Sequence, residues 1–243
     1  MAEIAKESIW QKKENAEAFL RDERGAVPGA GLQMSVIECV IREWAPAPKR
    51  VLDLGCGDGA LGRYLLGAFP GVECVFADFS EPMLEAAREK LGRDGGHRLL
   101  KADFSSPAWA EGVRQHAPFD AVVSGFAIHH LHDDRKKELY SEIHGLLSEG
   151  GVFLNLEHVR SRTPEVERLF EEFYTDHLHE CFLSVDPGAS REAAADIYRN
   201  RPDKEEDKPA LAEDQCGWLR EIGYRDVDCF FKVFAIAIFG GRK

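Results

Sequence analysis

Basic charge is in short supply in this 243-residue chain, where 31 Lys and Arg face 43 Asp and Glu for a formal net charge of −12. Nucleic-acid affinity rests largely on Lys and Arg neutralising phosphates, so a broad phosphate-binding surface is not expected and nucleic acid is not an expected partner. Long apolar runs are missing too. None approaches the ~20 residues of a membrane span, and the first residues lack a secretory pattern, which reads as a cytoplasmic protein with no membrane partner. Cysteines are few, and Cys39, Cys56, Cys74, Cys181, Cys216 and Cys229 are scattered without a Cys-x-x-Cys pair. That pattern fits reduced thiols. What remains is ordinary for a globular chain, with 44% hydrophobic and 30% charged residues. The length suits one α/β domain with an insertion.

Glycine is concentrated in one informative place, Val51-Leu52-Asp53-Leu54-Gly55-Cys56-Gly57-Asp58-Gly59-Ala60. An apolar run that ends in alternating glycines and passes into a helical pattern reads as buried strand, tight turn and helix start. Without a Cβ the backbone can take positive φ and let a ligand approach its amides, and a helix N-terminus favours electron-rich groups. Two ligand classes use such a turn. Gly55-x-Gly57-x-x-Ala60 and Gly57-x-Gly59-x-x-Gly62 both fit a dinucleotide fingerprint, with Asp78 about 20 residues on. The other class is S-adenosylmethionine: Asp53, inside the strand and two positions before the first glycine, resembles the acidic residue of the S-adenosylmethionine loop in class I methyltransferases.

Val51 to Gly59 resembles the class I S-adenosylmethionine-dependent methyltransferases, and further segments carry the resemblance on in order across residues 50–157. Phe76-Ala77-Asp78-Phe79-Ser80 with Pro82-Met83 is similar to the family's second strand and ribose-binding acid. Lys101-Ala102-Asp103-Phe104 is similar to its adenine-contacting turn, and Phe119 to Ser124 to its fourth strand. Leu146-Leu147-Ser148-Glu149-Gly150-Gly151 resembles the turn into its fifth, where the family usually has Lys-Pro-Gly-Gly. The resemblance implies a Rossmann-like, doubly wound α/β fold: a seven-stranded, mostly parallel sheet with a C-terminal antiparallel hairpin; the 163–211 segment, too long for a simple connection and holding helical patches, reads as a helical lid insertion. The resemblance also implies S-adenosyl-L-methionine as cofactor, held by Asp53, Gly55, Gly57, Gly59, Asp78, Phe79, Met83, Asp103 and Phe104; Ser124, Gly125 and Phe126 are expected beside it because they lie at the C-terminal end of the fourth strand, the edge where open parallel sheets bind ligands. For Asp103, capping of its own turn is the alternative role. For Asp78 the alternative is a helix N-cap, but Ser80 before Glu81-Pro82 is the better cap.

The pattern divides the chain into an N-terminal helical cap (1–48), a cofactor core (49–160), a helical lid (161–211), and a last helix with the closing hairpin (212–243). Helices are expected over 4–23, 32–44, 59–69, 81–91, 133–147, 166–179, 191–198 and 214–222. Strands are expected over 50–54, 72–77, 97–102, 120–124, 151–157, 225–231 and 233–239.

Ligands of open parallel sheets bind at the C-terminal strand edge, where His129, His130 and His158 fall. Imidazole titrates near neutrality, so these three are the candidates for a catalytic base, should the acceptor need one. From the lid, Tyr174, Tyr198, Arg199 and Arg201 are the candidate substrate contacts, with His177 and His179 nearby. Asp176-His177-x-His179-Glu180 with Glu157-His158 offers types suited to a transition metal, but the spacing matches no recognised signature and no metal is assigned. Glu205-Glu206-Asp207 reads as a solvated charge run.

The resemblance implies a methyltransferase acting on a small-molecule acceptor, with a homodimer left open as its assembly. Asp78-x-Ser80-x-Pro82-Met83, the late helix and the Phe-rich hairpin are also similar to carboxy-S-adenosylmethionine synthases and their tRNA-modification neighbours. Those enzymes use prephenate, and an arginine before the last helix binds the added carboxylate; Arg201, ahead of Arg199, stands in that segment, although Pro202-Asp203-Lys204 departs from the group's pattern. A non-catalytic S-adenosylmethionine-binding module and an NAD-dependent oxidoreductase are the other readings.

Overall fold

The computed structural model describes Gln11 and residues 27–92, 97–201 and 204–243. The helix expected over 4–23 lies outside the described residues. From residue 27 the elements run α1 (Ala30–Trp44), β1 (Arg50–Leu54), α2 (Ala60–Ala68), β2 (Glu73–Asp78), α3 (Glu81–Leu91), β3 (Arg98–Lys101), α4 (Trp109–Arg114), β4 (Phe119–Gly125) and a 3-10 turn (Ile128–His130). They continue with α5 (Asp133–Leu146), β5 (Leu147–His158), α6 (Pro164–Leu183), α7 (Arg191–Arg199), α8 (Ala212–Ile222), β6 (Arg225–Val233) and β7 (Ile236–Arg242).

The strands form one seven-stranded sheet in the order β3-β2-β1-β4-β5-β7-β6. Pairings from β3 to β5 are parallel, and β7 is antiparallel to both β5 and β6. The expected fold class is therefore present. Because β1 is central, both of its faces are buried, and its side chains alternate between two cores. Leu52 and Leu54 join the core under α4, α5 and α8, while Val51 joins the one under α1 and α2. Asp53 shares the Val51 face and is the polar interruption of that apolar strand. Chain order reverses between β1 and β4, so the loops leaving them diverge and open a crevice at the carboxyl edge.

Local signals explain the helix boundaries. The Ser80 hydroxyl accepts from Met83 N with Pro82 in the first turn, which starts α3 at Glu81. Thr163 caps α6 in the same way ahead of Pro164, and Ser190 caps α7. Gly223 ends α8 in the left-handed conformation. Two features were not expected. The six-residue α4 buries Trp109, Ala110 and Val113, too few positions for a helical period to stand out. Strand β5 starts at Leu147, paired with Phe119, and a register shift then brings Ala121 opposite Val152. Ser148 to Gly151 is thus an irregularity within the strand, not the turn before it. Among the described residues no helix is long and apolar enough to cross a membrane.

Candidate functional site

A cavity of about 980 Å³ opens at the carboxyl edge of the sheet, between the loops after β1, β2 and β4 and the helices α1, α6 and α7. On its glycine-loop side the backbone of Gly55, Gly57 and Gly59 has φ of 68°, 54° and 77°. A Cβ on Gly55 would lie 2.3 Å from the Ala127 Cβ, so the β1 loop and the β4 loop touch only because that side chain is missing. Gly62, in the first turn of α2, is needed for a different reason. Its amide donates to Asp53 Oδ2 at 2.8 Å, and a Cβ there would meet Phe76 at 2.3 Å. The buried Asp53 carboxylate is thereby tied to the first turn of α2, where the helix dipole favours it.

Asp78 closes the loop from β2. Its Oδ2 accepts from Gly57 N and its Oδ1 from Ser80 N, both at 2.8 Å. Each carboxylate oxygen has further acceptor capacity, so a cavity-lining Asp78 can also accept from neighbouring hydroxyls of a ligand. Phe79, Met83, Phe104, Gly125 and Phe126 complete this half. Phe126 holds φ of 53°, an unusual conformation for a bulky residue, and its N–H donates to Leu156 O at 2.8 Å. That bond fixes the turn in which β4 leaves the sheet and enters the cavity wall. The set fits an adenosyl group: a glycine bend, acidic groups at two strand ends, and apolar side chains to flank a ring.

The opposite half is polar at its centre. His129 Nδ1 donates to Glu157 Oε1 at 2.6 Å, and His129 Nε2 faces Asp207 Oδ1 at 3.3 Å. His130 Nδ1 is 3.5 Å from the same oxygen, His158 Nδ1 is 4.0 Å from Asp207 Oδ2, and Arg201 donates to that Oδ2. Burial disfavours charge on His129, but Glu157 and Asp207 outweigh it and hold the imidazolium up to about 9. For His130, burial and then the neighbouring His129 charge push the value down to about 3. His158 falls to about 4 for the same two reasons. Burial opposes the Asp207 carboxylate, yet His129 and Arg201 hold it at about 2. One charged and two neutral imidazoles therefore share the wall at pH 7.

The structure brings most of the expected residues to this cavity. Asp53, Gly55, Gly57, Asp78, Phe79, Met83, Phe104, Gly125, Phe126, His129, His130, His158, Tyr174, Tyr198 and Arg201 all line it. Four do not. Asp103 is exposed, and its Oδ1 accepts from Ser105 N at 2.9 Å, which is the turn-capping alternative. Ser124 donates to Leu54 O at 2.7 Å and is spent joining β4 to β1. Gly59 is the residue before α2 and lies behind the loop, against Phe76. Arg199 is exposed, 4.0 Å from Glu192. The metal-suited types on α6 stay apart from Glu157: His179 Nε2 lies 3.0 Å from Ala189 O, and His177 pairs with Cys181.

Asp207 is the residue that sequence reasoning missed. The Glu205-Glu206-Asp207 run is not uniformly solvated, since the Asp207 side chain is only 7% exposed. Lys208 N donates to His129 O and Lys208 Nζ to His130 O, strapping the segment across the 3-10 turn and turning Asp207 inward. Nothing local to the sequence signals this, because the strap spans 78 residues.

A family model described as "Methyltransferase domain" matches residues 52–153. A demethylmenaquinone methyltransferase of Thermus thermophilus is 38% identical over 112 residues, 46% of this chain and 48% of the relative. A carboxy-S-adenosyl-L-methionine synthase of Campylobacter lari is 20% identical over 210 residues, 85% of this chain and 82% of the relative. The chain spans about half the length, or less, of the first curated relatives it matches. Among solved structures, an O-methyltransferase family protein from Burkholderia thailandensis has the same fold, with TM-score 0.60 and 16% identity over 96% of this chain and 63% of that one.

Proposed function

We propose that this chain, whose residues 52–153 match a family model described as "Methyltransferase domain", is a class I S-adenosylmethionine-dependent methyltransferase that transfers the methyl group of S-adenosylmethionine to a small-molecule acceptor. The observation that carries the reading is the single cavity that joins the Asp53–Gly55–Gly57–Asp78 loop to the His129–Asp207 cluster. Asp78 would accept from the ribose hydroxyls, Phe79 and Phe104 would flank the adenine, and Asp53 would brace the loop through Gly62. The bound cofactor supplies a sulfonium methyl, already electrophilic.

The chain's contribution is then alignment and exclusion of water. Holding two reactants in register can lower a barrier by up to roughly 7–11 kcal/mol. Phe126, Phe170, Tyr174, Phe182 and Tyr198 give the acceptor half aromatic walls, with His130, His158 and Arg201 at the polar end. Such a lining suits an acceptor with a flat apolar body and one polar end. His129 carries its proton at neutral pH and positions Asp207, whereas His130 and His158 are neutral and able to accept a hydrogen bond. The net charge of −12 disfavours a nucleic-acid acceptor. Six free cysteines fit the reducing cytoplasm. A homodimer is part of the same proposal, to be measured by light scattering.

Arg201 on the cavity wall, together with the long Campylobacter lari alignment, favours one second reading, a carboxymethyl transfer from prephenate. Asp207 already engages that guanidinium, and an added carboxylate would have to compete with it. Incubation with S-adenosylmethionine and a panel of phenolic and quinol acceptors, followed by mass spectrometry, separates the two. Methylated acceptor with S-adenosylhomocysteine is expected. A carboxymethyl sulfonium formed only with prephenate would replace this reading with the second, and absence of both products would leave a binding module.

A further inference from the structure

The geometry points to a site for a first-row divalent transition-metal ion on the cavity wall, made by His129 Nε2, His130 Nδ1 and Asp207 Oδ1. One nitrogen of each histidine and one oxygen of Asp207 lie within 4.8 Å of one another. Asp207 Oδ1 stands 3.3 Å from His129 Nε2 and 3.5 Å from His130 Nδ1. Ligand atoms each about 2.1 Å from a shared ion stand roughly 3.0–3.4 Å apart, so little movement is needed to admit one.

Two further observations favour an ion over a plain charge cluster. Asp207 Oδ1 is buried and faces both the His129 and His130 nitrogens without a well-formed hydrogen bond to either, while the other oxygen is held by Arg201. A cation held between the three atoms replaces the looser His129–Asp207 ion pair with direct ligation. Glu157 accepts from His129 Nδ1 at 2.6 Å, which aims Nε2 at the candidate position. A carboxylate behind a ligating histidine is the usual arrangement around a metal, since it fixes the ring and raises its basicity.

Two imidazoles and a carboxylate, with no thiolate, suit zinc, iron, cobalt or nickel over magnesium or calcium. A proton on His129 Nε2 leaves as the ion enters. Among the described residues, Arg201 and Lys208 balance Glu157 and Asp207, so a divalent ion leaves the site net positive and the positions open to the cavity favour an anionic oxygen donor. The site is inferred from these side chains alone and does not depend on methyl transfer.

The test uses the full-length protein, stripped by chelator dialysis and titrated with Co2+ alone, with visible absorption as the readout. Wild type is expected to take up one equivalent with d–d bands of nitrogen and oxygen ligation. Asp207→Asn and His130→Gln are each expected to weaken uptake roughly tenfold or more, with cooperative thermal unfolding checked for both. No saturable uptake by wild type, or uptake undiminished in both variants, would overturn the site. Calorimetry of wild type with S-adenosylmethionine keeps the two ideas apart: cobalt bound without S-adenosylmethionine sinks the proposed function, and the reverse sinks the metal site.

Discussion

At the scale of single residues, the cavity depends on side chains that are absent as much as on those present. Gly55→Ala would set a Cβ 2.3 Å from Ala127 while holding φ near 68°. Overpacking of this kind costs about 1–3 kcal/mol. In a chain of this size that is a fall of about 2–4 °C in Tm per kcal/mol, read by thermal unfolding. The same variant should bind S-adenosylmethionine more weakly, because the β1 and β4 loops must separate. Asp78→Ala acts differently. It removes the acceptor of Gly57 N and Ser80 N together with the expected ribose partner, so affinity should fall by about 10- to 100-fold, each tenfold being about 1.4 kcal/mol. Unchanged affinity in a titration would remove Asp78 from the cofactor site. Asp53 and Asp78 were legible because a strand and a glycine turn lie beside them in sequence. Asp207 was not, because its burial is made by a strap from Lys208 to the distant 129–130 turn.

Between elements, the sheet is held to α5 and α8 by a buried polar chain. Tyr140 donates to Gln215 Oε1 at 2.6 Å and accepts from Asn155 Nδ2 at 3.3 Å, and Tyr224 donates to Tyr140 O. Tyr140→Phe leaves Gln215 and Asn155 without that partner, at about 1–3 kcal/mol. Urea unfolding should show a lower midpoint with an unchanged slope. On the other face, Phe170 of α6 is buried against Tyr174, Tyr198, His158 and Phe234. Phe170→Ala should cost about 3–5 kcal/mol if the lid unfolds with the core. Limited proteolysis gives the same variant a second readout: earlier cleavage within 164–199, ahead of global unfolding, would mark the lid as a separately opening unit. Long elements were read closely from periodicity and caps, as with α3 starting at the Ser80 cap. The short α4 and the irregular Ser148–Gly151 part of β5 were not, since six residues give no period and a register shift is set by the partner strand.

For the whole molecule, the strand order is what turns local motifs into a site. The reversal between β1 and β4 sets the glycine loop and the His129–His130 turn on opposite sides of one crevice, and α6 and α7 roof it. The seven-stranded order with its antiparallel end was legible from the alternating Arg225–Phe239 segment and from the family resemblance. Which lid residues face inward was not, as Arg199 and Arg201 show: two residues apart, one pairs outside with Glu192 and one inside with Asp207. The account stands most directly on a calorimetric titration of the purified chain with S-adenosylmethionine and, separately, NAD. It predicts saturable binding of S-adenosylmethionine near one per chain, weakened in Asp78→Ala, and none of NAD. Binding of NAD in place of S-adenosylmethionine, or of neither, would contradict it.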